Sequence, residues 1–367
     1  MSLKDNFRKV VINLLKKYLA IPESSDKSLG TPKNILVIRQ HNQFGDMLVS
    51  VSLFRAIKET YPECHLTLLA SRENYVGIVK NKFIDRLFVF DSKKIFKLSY
   101  IKELKKTLKD GYDVVIVPAT ISISFTSCLL AALSDAKEKI GPLSLNGKKN
   151  EYAYMFNHRI ELDWRATPDA HYADCILEIV RPFKINTKNL GISISFDDED
   201  AKAADEFIES LNKSKKSLLI GMHIGAGKPQ NRWPLNKYIN LIERINGKYD
   251  SRIYVTGSFR DQEEIDYLNA HSNIHITGFL NRTIPQFAAL ISKTDIFITN
   301  DTGIMHVAGA TATPQISIFG PTNPFNWAPF GPTKYFLRKS ELISDVSVDA
   351  VFDLFNYLLE KQKNEKH

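Results

Sequence analysis

Short apolar runs alternate with stretches of helical periodicity along most of the chain. The first block predicts strands at residues 35–39, 66–70, 87–90 and 114–118, and helices at residues 46–59 and 99–109. After a polar, helix-poor stretch at residues 141–169 and a helix near residues 170–180, a second block begins. It predicts strands at residues 218–224, 253–257, 274–277, 296–300 and 315–319, and helices at residues 235–246, 262–270, 285–292 and 302–310. Such alternation is typical of parallel βαβ units, so we expect an α/β protein.

The two blocks predict two Rossmann-like domains that face each other across a cleft. Ligands of open parallel sheets bind beyond the carboxyl ends of the strands, so a cleft between two such sheets is the expected binding site. We place the first domain at residues 31–190 and the second at residues 191–340, followed by a C-terminal helix at residues 341–367. The acidic run at residues 197–200 is interpreted as a solvated turn.

The start of the chain, residues 1–30, has the pattern of a basic amphipathic helix and a linker. Apolar residues recur at helical spacing with basic residues between them: Leu3, Phe7, Val10, Val11, Leu14, Leu15, Tyr18 and Leu19, with Lys4, Arg8, Lys9, Lys16 and Lys17. Such a helix can lie on an anionic membrane or pack on the protein itself, and the sequence leaves both open. No apolar run suits a signal peptide or a membrane span, so we expect a cytoplasmic protein that can contact the inner face of the cytoplasmic membrane peripherally.

Composition and charge argue against several classes of protein, namely disulfide-rich, zinc-binding and nucleic-acid-binding ones. The 367 residues, 44% of them hydrophobic, suffice for two cores, and three cysteines without CxxC spacing indicate neither disulfides nor a zinc site. Of 49 Lys+Arg and 41 Asp+Glu, residues 1–190 hold 30 and 20, so the net charge of +8 arises in the first half. A basic half suits an anionic partner or merely keeps the protein soluble. We find no basic stripe interleaved with aromatic residues and expect no nucleic-acid partner.

Polar residues follow the fourth predicted strand of the second block and open the next helix. Asn300, Asp301, Thr302 and Gly303 occupy this turn, and His306 lies one helical turn further on. A helix start offers free N–H groups and the positive end of the helix dipole, which favour an anion such as a diphosphate. Asp301 or Thr302 can equally be a simple N-cap, and His306 can simply hold the fold together.

A glycine-bearing loop follows the strand predicted at residues 218–224. Its residues are His223, Gly225, Ala226, Gly227, Lys228, Asn231, Arg232, Trp233 and Pro234. Small residues expose backbone N–H groups, and the two cations can meet phosphate charge. The two glycines can also serve only to turn the chain.

The first predicted strand runs into residues 39–46, which contain a single glycine, Gly45. A dinucleotide-binding GxGxxG fingerprint needs three glycines, so this loop counts against an NAD cofactor. Asp46 can stabilise a helix start. A carboxylate at the floor of the predicted cleft is also where a general base is needed.

Taken together, these elements resemble glycosyltransferase family 9, the ADP-heptose:lipopolysaccharide heptosyltransferases, over about residues 34–335. The resemblance rests on their order and spacing: Gly45-Asp46, His223-x-Gly-Ala leading to Trp233-Pro234, Thr256-Gly257 followed by Asp261, and Asp301-Thr302-Gly303-x-x-His306. It implies a GT-B fold and an inverting sugar transfer without a metal or another cofactor. The implied donor is a nucleotide sugar, ADP-heptose by default, and the implied acceptor is an anionic lipid-linked saccharide of the lipopolysaccharide core.

The resemblance also implies roles for single residues. Asp46 stands where the family has the general base for the acceptor hydroxyl, and Asp261 where an acidic residue holds the nucleotide ribose. The implied donor site comprises His223, Gly225, Ala226, Lys228, Asn231, Arg232, Asp261, Asp301, Thr302, Gly303 and His306. Asn231 departs from the family, which usually has a lysine there that contacts the donor phosphates. We expect Lys228 or Arg232 to replace that cation.

Cations of the first half become candidate acceptor contacts, because the family's acceptors are anionic: Arg39, Arg72, Lys80, Lys82 and Arg86. Other interpretations remain open. A GT-B glycosyltransferase can use a different nucleotide-sugar donor. A non-catalytic nucleotide-sugar or glycan-binding protein would not need Asp46, and a sugar-nucleotide epimerase of similar fold would act without an acceptor.

Overall fold

The computed structural model describes residues 12–41, 43–212, 214 and 216–365. Seven residues of the predicted amphipathic helix lie outside these residues: Leu3, Lys4, Phe7, Arg8, Lys9, Val10 and Val11. Asn42, in the loop after the first predicted strand, also lies outside them. The chain divides into two compact units. Within the described residues, the first comprises the chain up to Tyr75 and Asn81–Leu190, and the second comprises Val76–Lys80 and the chain from Gly191 onward.

The first unit is built on one seven-stranded sheet. Its strands are β1 (Asn34–Arg39), β2 (His65–Ser71), β3 (Arg86–Phe90), β4 (Val114–Ile116), β5 (Glu138–Leu145), β6 (Lys148–Lys149) and β7 (His158–Leu162). The order is β3-β2-β1-β4-β5, with β7 parallel to β5 and only β6 antiparallel. β7 and most of β5 lie in the stretch predicted only as polar and helix-poor. Gly141 and Pro142 interrupt the apolar run of β5, and charged residues alternate with the buried ones along the short β7.

The helices of the first unit cover both faces of this sheet. They are α1 (described over residues 12–19), α2 (Phe44–Val49), α3 (Val51–Thr60), α4 (Leu98–Leu108), α5 (Phe125–Leu133) and α6 (Tyr172–Cys175), with short 3₁₀ helices at Ser92–Lys94, Ala153–Met155, Ile176–Ile179 and Arg181–Phe183. A further 3₁₀ helix, Tyr75–Gly77, lies where the chain passes from the first unit to Val76–Lys80 of the second. The single helix predicted at residues 46–59 is two helices. Between them the Ser50 hydroxyl donates to the carbonyl of Asp46 at 2.8 Å, and such a back-bond bends a helix. α5 was not predicted, because its nearly continuous apolar residues show no polar face.

The described part of α1 packs on the first unit. Ile12, Leu15 and Leu19 contact the apolar cluster on one face of its sheet, while Leu14 and Tyr18 are exposed. Of the two alternatives for this helix, packing on the protein therefore holds for residues 12–19. No helix among the described residues has the length and apolar character needed to cross a membrane.

The second unit is built on a six-stranded, wholly parallel sheet. Its strands, in the order β10-β9-β8-β11-β12-β13, are β8 (Leu218–His223), β9 (Ser251–Gly257), β10 (Thr277–Leu280), β11 (Ile296–Asn300), β12 (Gln315–Phe319) and β13 (Lys334–Arg338). Its helices are α7 (Asp198–Ser210), α8 (Leu235–Lys248), α9 (Gln262–His271), α10 (Ile284–Ser292), α11 (Gly303–Gly309), α12 (Pro324–Trp327) and α13 (Val348–Glu365), with 3₁₀ helices at Pro229–Asn231, Phe259–Asp261 and Ile343–Asp345.

Two predictions in the second unit were wrong. The strand expected at residues 274–277 begins three residues later, because the Asn269 side chain bonds both backbone groups of Ile276, at 2.8 and 3.1 Å. The acidic run is a helix start and not a solvated turn. Asp197 and Asp200 form a capping box that opens α7, and Asp200 is buried.

Both sheets share one topological feature. Each starts in its middle, at β1 or β8, and the chain then adds strands first on one side and later on the other. The loops after β1 and β4, and those after β8 and β11, therefore diverge at the carboxyl ends of neighbouring strands. In parallel sheets such a switch point is where ligands bind.

Gly221 in β8 leaves room for side chains from both neighbouring strands. A Cβ there would lie 2.5 Å from both the Tyr254 hydroxyl and the Phe297 ring. At Gly247 in α8, by contrast, a Cβ would meet no atom within 4 Å. We predict that Gly221→Ala lowers the free energy of unfolding by about 1–3 kcal/mol through overpacking, and that Gly247→Ala raises it by roughly 0.5–1 kcal/mol. Urea denaturation of both variants measures the free energy of unfolding. Equal changes in the two variants would contradict the close packing of side chains around Gly221.

Candidate active site

Asp46 lies in the first turn of α2, beyond the carboxyl end of β1. Its Oδ2 accepts a hydrogen bond from the backbone N–H of Gln43 at 3.2 Å, and its buried Oδ1 has no partner among the described residues. Burial raises the pKa of the Asp46 carboxyl, while the charge of Arg39 opposes that rise. The result is a carboxylate with one uncommitted oxygen and an increased tendency to hold a proton.

The loop after β1 is held by the loop after β4. The Arg39 guanidinium donates to the Thr120 hydroxyl at 3.2 Å, and His41 Nε2 lies 2.6 Å from the Ser122 hydroxyl. Arg39 is almost fully buried, and burial lowers its pKa to about 10. Burial also lowers the pKa of His41, and the charge of Arg39 lowers it further. Arg39 thus acts on its neighbours, Asp46 and His41, from within the protein.

The other candidate acceptor cations do not lie together in the structure. Arg72 follows β2 at the same sheet edge as Asp46, is largely exposed and lies 3.3 Å from the carboxylate of Asp91. Arg86 starts β3, so it lies at the amino edge of the parallel sheet, opposite Asp46, and pairs with Asp110. The sequence could not separate these arginines, because it does not show at which end of a strand a side chain will lie.

Two lysines complete this set of cations. Lys82 also precedes β3, and its ammonium lies 5.3 Å from the centre of the Phe83 ring. Lys80 belongs to the second unit, where it pairs with Asp197 and, at 2.6 Å, with Asp200. Lys82, four residues before β3, therefore lies towards the edge opposite Asp46, and Lys80 is committed to two carboxylates of the second unit.

In the second unit, the fully buried Asn300 joins three elements at the switch point. Its Nδ2 donates to the carbonyls of Ile224 and Gly225 at 2.8 and 3.3 Å, which holds the loop after β8. Its Oδ1 accepts from the backbone N–H of Trp233 at 3.2 Å and from the Tyr238 hydroxyl at 3.0 Å, which holds the start of α8. Asn300 therefore shapes the loop without reaching solvent.

Asp261 is fastened against two glycines. Its Oδ2 accepts from the backbone N–H of Ser258 at 2.7 Å and from the Ser258 hydroxyl at 2.9 Å. A Cβ on Gly225 would lie 2.8 Å from Asp261 Oδ1, and a Cβ on Gly257 would lie 2.9 Å from Oδ2. Both glycines are needed here because the carboxylate occupies the space of a side chain. The Asp261 carboxylate is thus placed at the ends of β8 and β9.

His223, the last residue of β8, is buried and neutral at physiological pH. Burial lowers its pKa to about 4. Nδ1 lies 2.8 Å from the Thr256 carbonyl, which can only accept a hydrogen bond, so Nδ1 carries the proton and Nε2 the lone pair. A Cβ on Gly225 would lie 3.5 Å from Nε2. His223 is therefore a positioned hydrogen-bond acceptor on the Gly225 side of the loop.

Asn231 is turned inward. Its Nδ2 donates to the Asp301 carboxylate at 2.9 Å and to the Asp301 carbonyl at 3.3 Å. Arg232 donates to the Ala226 carbonyl and pairs with Glu264, each at 3.1 Å. The Asn231 amide nitrogen and the Arg232 guanidinium are therefore committed to protein partners, while the buried Asn231 Oδ1 has no partner among the described residues.

Lys228 is the uncommitted cation of this loop. It is exposed, and among the described residues it forms no ion pair. Burial raises the pKa of Asp301, and a hydrogen bond with Thr322 and, to a smaller extent, the charge of Lys228 oppose that rise. Lys228 thus acts on the turn after β11 while remaining open to solvent.

Thr302 occupies the N-cap position of α11, but its hydroxyl makes no capping hydrogen bond. Thr302 is thus the N-cap residue by position, as one of the two interpretations held, although its side chain takes no part in the capping. The first N–H groups of the helix, starting at Gly303, have no partner within the helix by its geometry. His306 is buried, with its ring 6.1 Å from that of Trp327.

Several residues of the two edges were not singled out from the sequence. In the first unit they are the hydroxyl side chains after β4, Thr120 and Ser122, and in the second Ser258. The available signal for Thr120 and Ser122 was the stretch 120–126, in which Ser or Thr alternates with apolar residues. Within the described ranges, no three His, Cys, Asp or Glu side chains cluster so that they could hold a metal ion.

Two parallel-sheet units, each with polar residues at its switch point, form the architecture of GT-B glycosyltransferases. The solved glycosyl transferase family 9 structure from Veillonella parvula DSM 2008 matches with a TM-score of 0.77 and 20% identity, over 93% of this chain and 99% of that one. E. coli ADP-heptose lps heptosyltransferase II matches with a TM-score of 0.72 and 20% identity, over 90% and 99%. These likenesses confirm the predicted α/β, GT-B fold class.

Residues 101–347 match the family model described as Glycosyltransferase family 9 (heptosyltransferase). The chain belongs to this family and is a glycosyltransferase, as the resemblance implied. Lipooligosaccharide heptosyltransferase 2 of Haemophilus ducreyi is 26% identical over 312 residues, 80% of this chain and 85% of that protein. Lipopolysaccharide heptosyltransferase 3 of Escherichia coli K12 is 24% identical over 298 residues, 78% and 82%.

We predict that Asn300→Ala lowers the free energy of unfolding by about 2 kcal/mol or more, because it leaves buried carbonyl, N–H and hydroxyl groups without partners. Thermal unfolding followed by circular dichroism measures the change. Asn273→Ala is the matched control, since this asparagine is exposed and should change stability by less than about 0.5 kcal/mol. Equal stability of the two variants would contradict the role of Asn300 in holding the loop after β8 and the start of α8.

Proposed function

We propose that this protein transfers heptose from ADP-heptose, with inversion and without a metal ion, to an anionic lipid-linked saccharide of the lipopolysaccharide core. Its membership of family 9 supports this, as do relatives named as lipooligosaccharide and lipopolysaccharide heptosyltransferases. A solved neighbour is named as an ADP-heptose enzyme. The acceptor lipid places this work at the cytoplasmic face of the inner membrane.

The observation that carries the catalytic proposal is the state of Asp46. It has a raised pKa, a buried oxygen without a partner, and a place at the switch-point edge of the first sheet. In the proposed reaction its carboxylate takes the proton of an acceptor hydroxyl. The acceptor oxygen then forms a bond to the anomeric carbon of the donor sugar, and the bond to the nucleoside diphosphate breaks.

For the donor, we assign the ribose to Asp261 and the diphosphate to the loop after β8 and the Thr302–Gly303 turn. Asp261 has the required rigidity because Ser258 and the two flanking glycines hold it. Lys228 is proposed as the cation that replaces the lysine usual at position 231. The commitment of Asn231 to Asp301 and of Arg232 to Glu264 supports this choice.

For the acceptor, Arg72 is the candidate cation best supported by its location. It lies at the sheet edge of Asp46, and its guanidinium is largely exposed. Arg39 is proposed to act instead on Asp46, because it is buried and its charge counters the rise in the carboxyl pKa. The placements of Lys80, Lys82 and Arg86 give them no support as acceptor contacts.

Donor choice is tested by thermal shift and calorimetry with ADP-, UDP- and GDP-sugars. We predict the tightest binding for ADP-heptose, and roughly 10–100-fold weaker binding by Lys228→Ala, because a charge-assisted contact to phosphate is lost. Lys202→Ala is the matched control, since the Lys202 side chain is exposed on the outer side of α7, near Glu206. Preference for UDP- or GDP-sugars would favour a GT-B enzyme with another donor. If Arg232→Ala weakened donor binding and Lys228→Ala did not, Arg232 would be the cation that contacts the donor phosphates.

The role of Asp46 is tested by Asp46→Asn, followed by the release of ADP in the presence of acceptor. We predict that kcat falls by about 10²–10⁴, since an amide cannot take the proton, while ADP binding is unchanged. Asp198→Asn, at the exposed start of α7, is the control. Near-normal turnover of Asp46→Asn would exclude Asp46 as base. Nucleotide binding by the wild type without any turnover would favour a non-catalytic binding protein.

The raised pKa predicts the pH dependence. A carboxyl whose pKa is raised holds its proton to higher pH, so its base form is lost earlier as the pH falls. The acidic limb of kcat/KM should therefore lie above the ordinary aspartate range near 3.9. A limb within that ordinary range would contradict Asp46 as the titrating base.

A further inference from the structure

An exposed apolar segment follows the carboxyl end of β3 in the first unit. All eight residues from 92 to 99 are exposed, and they include Phe96 at 88% and Leu98 at 76% of full exposure. Ile95, in the same segment, and Ile101, in the first turn of α4, are further large apolar residues that are exposed. A contiguous group of large apolar side chains on a surface marks contact with another molecule or with a membrane.

Helix α4 continues this surface with positive charge. Its inner side packs on the unit through Tyr100, Leu104 and Leu108. Leu98, Ile101, Lys102 and Lys105 are spaced three and four residues apart and so share the outer side. Apolar residues thus lie at the start of the helix, and lysines follow them along the same outer side.

The charge of this segment is not neutralised by the protein. Residues 92–106 contain six lysines and a single acidic residue, Glu103. Among the described residues, only Lys94 approaches a carboxylate, that of Asp91 at 3.9 Å. In the part of the chain that the structure describes, the other five form no ion pair: Lys93, Lys97, Lys102, Lys105 and Lys106.

The segment is supported from below. The buried carboxylate of Asp91 accepts the backbone N–H of Lys93 at 3.0 Å, and the backbone N–H of Asp91 donates to the Tyr100 hydroxyl at 2.7 Å. The Tyr100 ring packs against Phe88 with centres 6.0 Å apart. Because both ends of residues 92–99 are fastened in this way, little ordering is needed before Phe96 and Leu98 enter a partner.

The chemistry of this surface fits an anionic lipid bilayer. Protruding aromatic and aliphatic side chains enter the boundary between headgroups and acyl chains, while surrounding lysines meet lipid phosphates. The fit to a protein partner is poorer, because lysines are depleted in protein–protein interfaces. β3 ends at the same sheet edge as β1, so a bilayer here would lie on the edge that carries Asp46.

Helix α1 adds to this picture. Its Ile12, Leu15 and Leu19 pack on the same apolar cluster as Tyr100 and Leu108, so α1 and α4 cover the same face of the first sheet. The exposed Leu14 and Tyr18, with Lys16 and Lys17 beside them, repeat the combination of apolar and basic side chains. Packing on the protein and contact with a membrane are therefore compatible in this helix.

We propose that residues 92–106 dock the first unit onto an anionic lipid bilayer, with Phe96 and Leu98 inserted at the interface and the lysines on the headgroups. The proposal rests on the proposed function in one respect, namely that a lipid-linked acceptor gives the docking its purpose. The docking itself is a property of the surface and can be measured without substrates.

Vesicle flotation of the full chain tests the proposal directly. We expect binding to vesicles of phosphatidylcholine with about one third phosphatidylglycerol, and little binding to phosphatidylcholine alone. Lys93→Glu with Lys97→Glu should weaken binding by at least about 25-fold, at roughly fivefold for each lysine lost. Phe96→Ser with Leu98→Ser should weaken it by about tenfold or more. Phe96→Trp should show a blue-shifted emission only with anionic vesicles.

Matched controls separate this segment from general surface effects. Phe259→Ser removes a phenylalanine that is 75% exposed in the second unit, and Lys148→Glu with Lys149→Glu reverses two exposed charges elsewhere in the first unit. Both controls should bind vesicles nearly as the wild type does. Equal loss in control and segment variants, or no loss in either segment variant, would overturn the proposal.

Two further measurements keep the outcomes distinct. The segment variants should transfer sugar to a delipidated, water-soluble acceptor as the wild type does. Absence of transfer by every form would refute the proposed function but leave the vesicle result intact.

Size-exclusion chromatography with light scattering should show no change in oligomeric state. If the Phe96→Ser, Leu98→Ser variant altered that state while binding vesicles normally, the surface would belong to a second copy, and the lipid proposal would fail.

Discussion

The second unit depends on one buried amide. Asn300 ends β11 with no exposure to solvent, and both of its amide atoms are bonded to groups from other elements. Because a buried polar group that loses its partner costs free energy, this side chain has one acceptable position. The loop after β8 and the start of α8 are fixed with it. The glycine loop is thus shaped by a side chain that lies more than sixty residues further along the chain.

Burial sets the chemistry of both units, with opposite effects on acids and bases. It disfavours the charged form, so it raises the pKa of the Asp46 carboxyl and lowers that of the His223 imidazole. In the first unit the buried guanidinium of Arg39 limits the rise. In the second unit His223 stays neutral, and its donor bond to Thr256 leaves Nε2 as an acceptor. One physical effect therefore favours the protonated carboxyl in one unit and the neutral imidazole in the other.

Much of the fold could be predicted because buried parallel strands appear as continuous apolar runs. The strands predicted at residues 296–300 and 315–319 coincide with β11 and β12, which are buried along their whole length. Elements with mixed or uniform patterns were missed. The uniformly apolar α5 lacks the polar face that reveals a helix, and the side chain of Asn269 replaces strand pairing just before β10.

The sequence by itself determined the fold class, the family and the order of the polar loops, because these depend on periodicity and on residues close together along the chain. Only the tertiary structure decided which side chains are free to act. Asn231 meets Asp301 and Arg232 meets Glu264 across 70 and 32 residues, which leaves Lys228 as the uncommitted cation. In the same way, Arg72 and Arg86 are equivalent as residues but lie at opposite edges of one sheet. Pairing between distant residues and the direction of each strand are set by packing, and local patterns do not contain them.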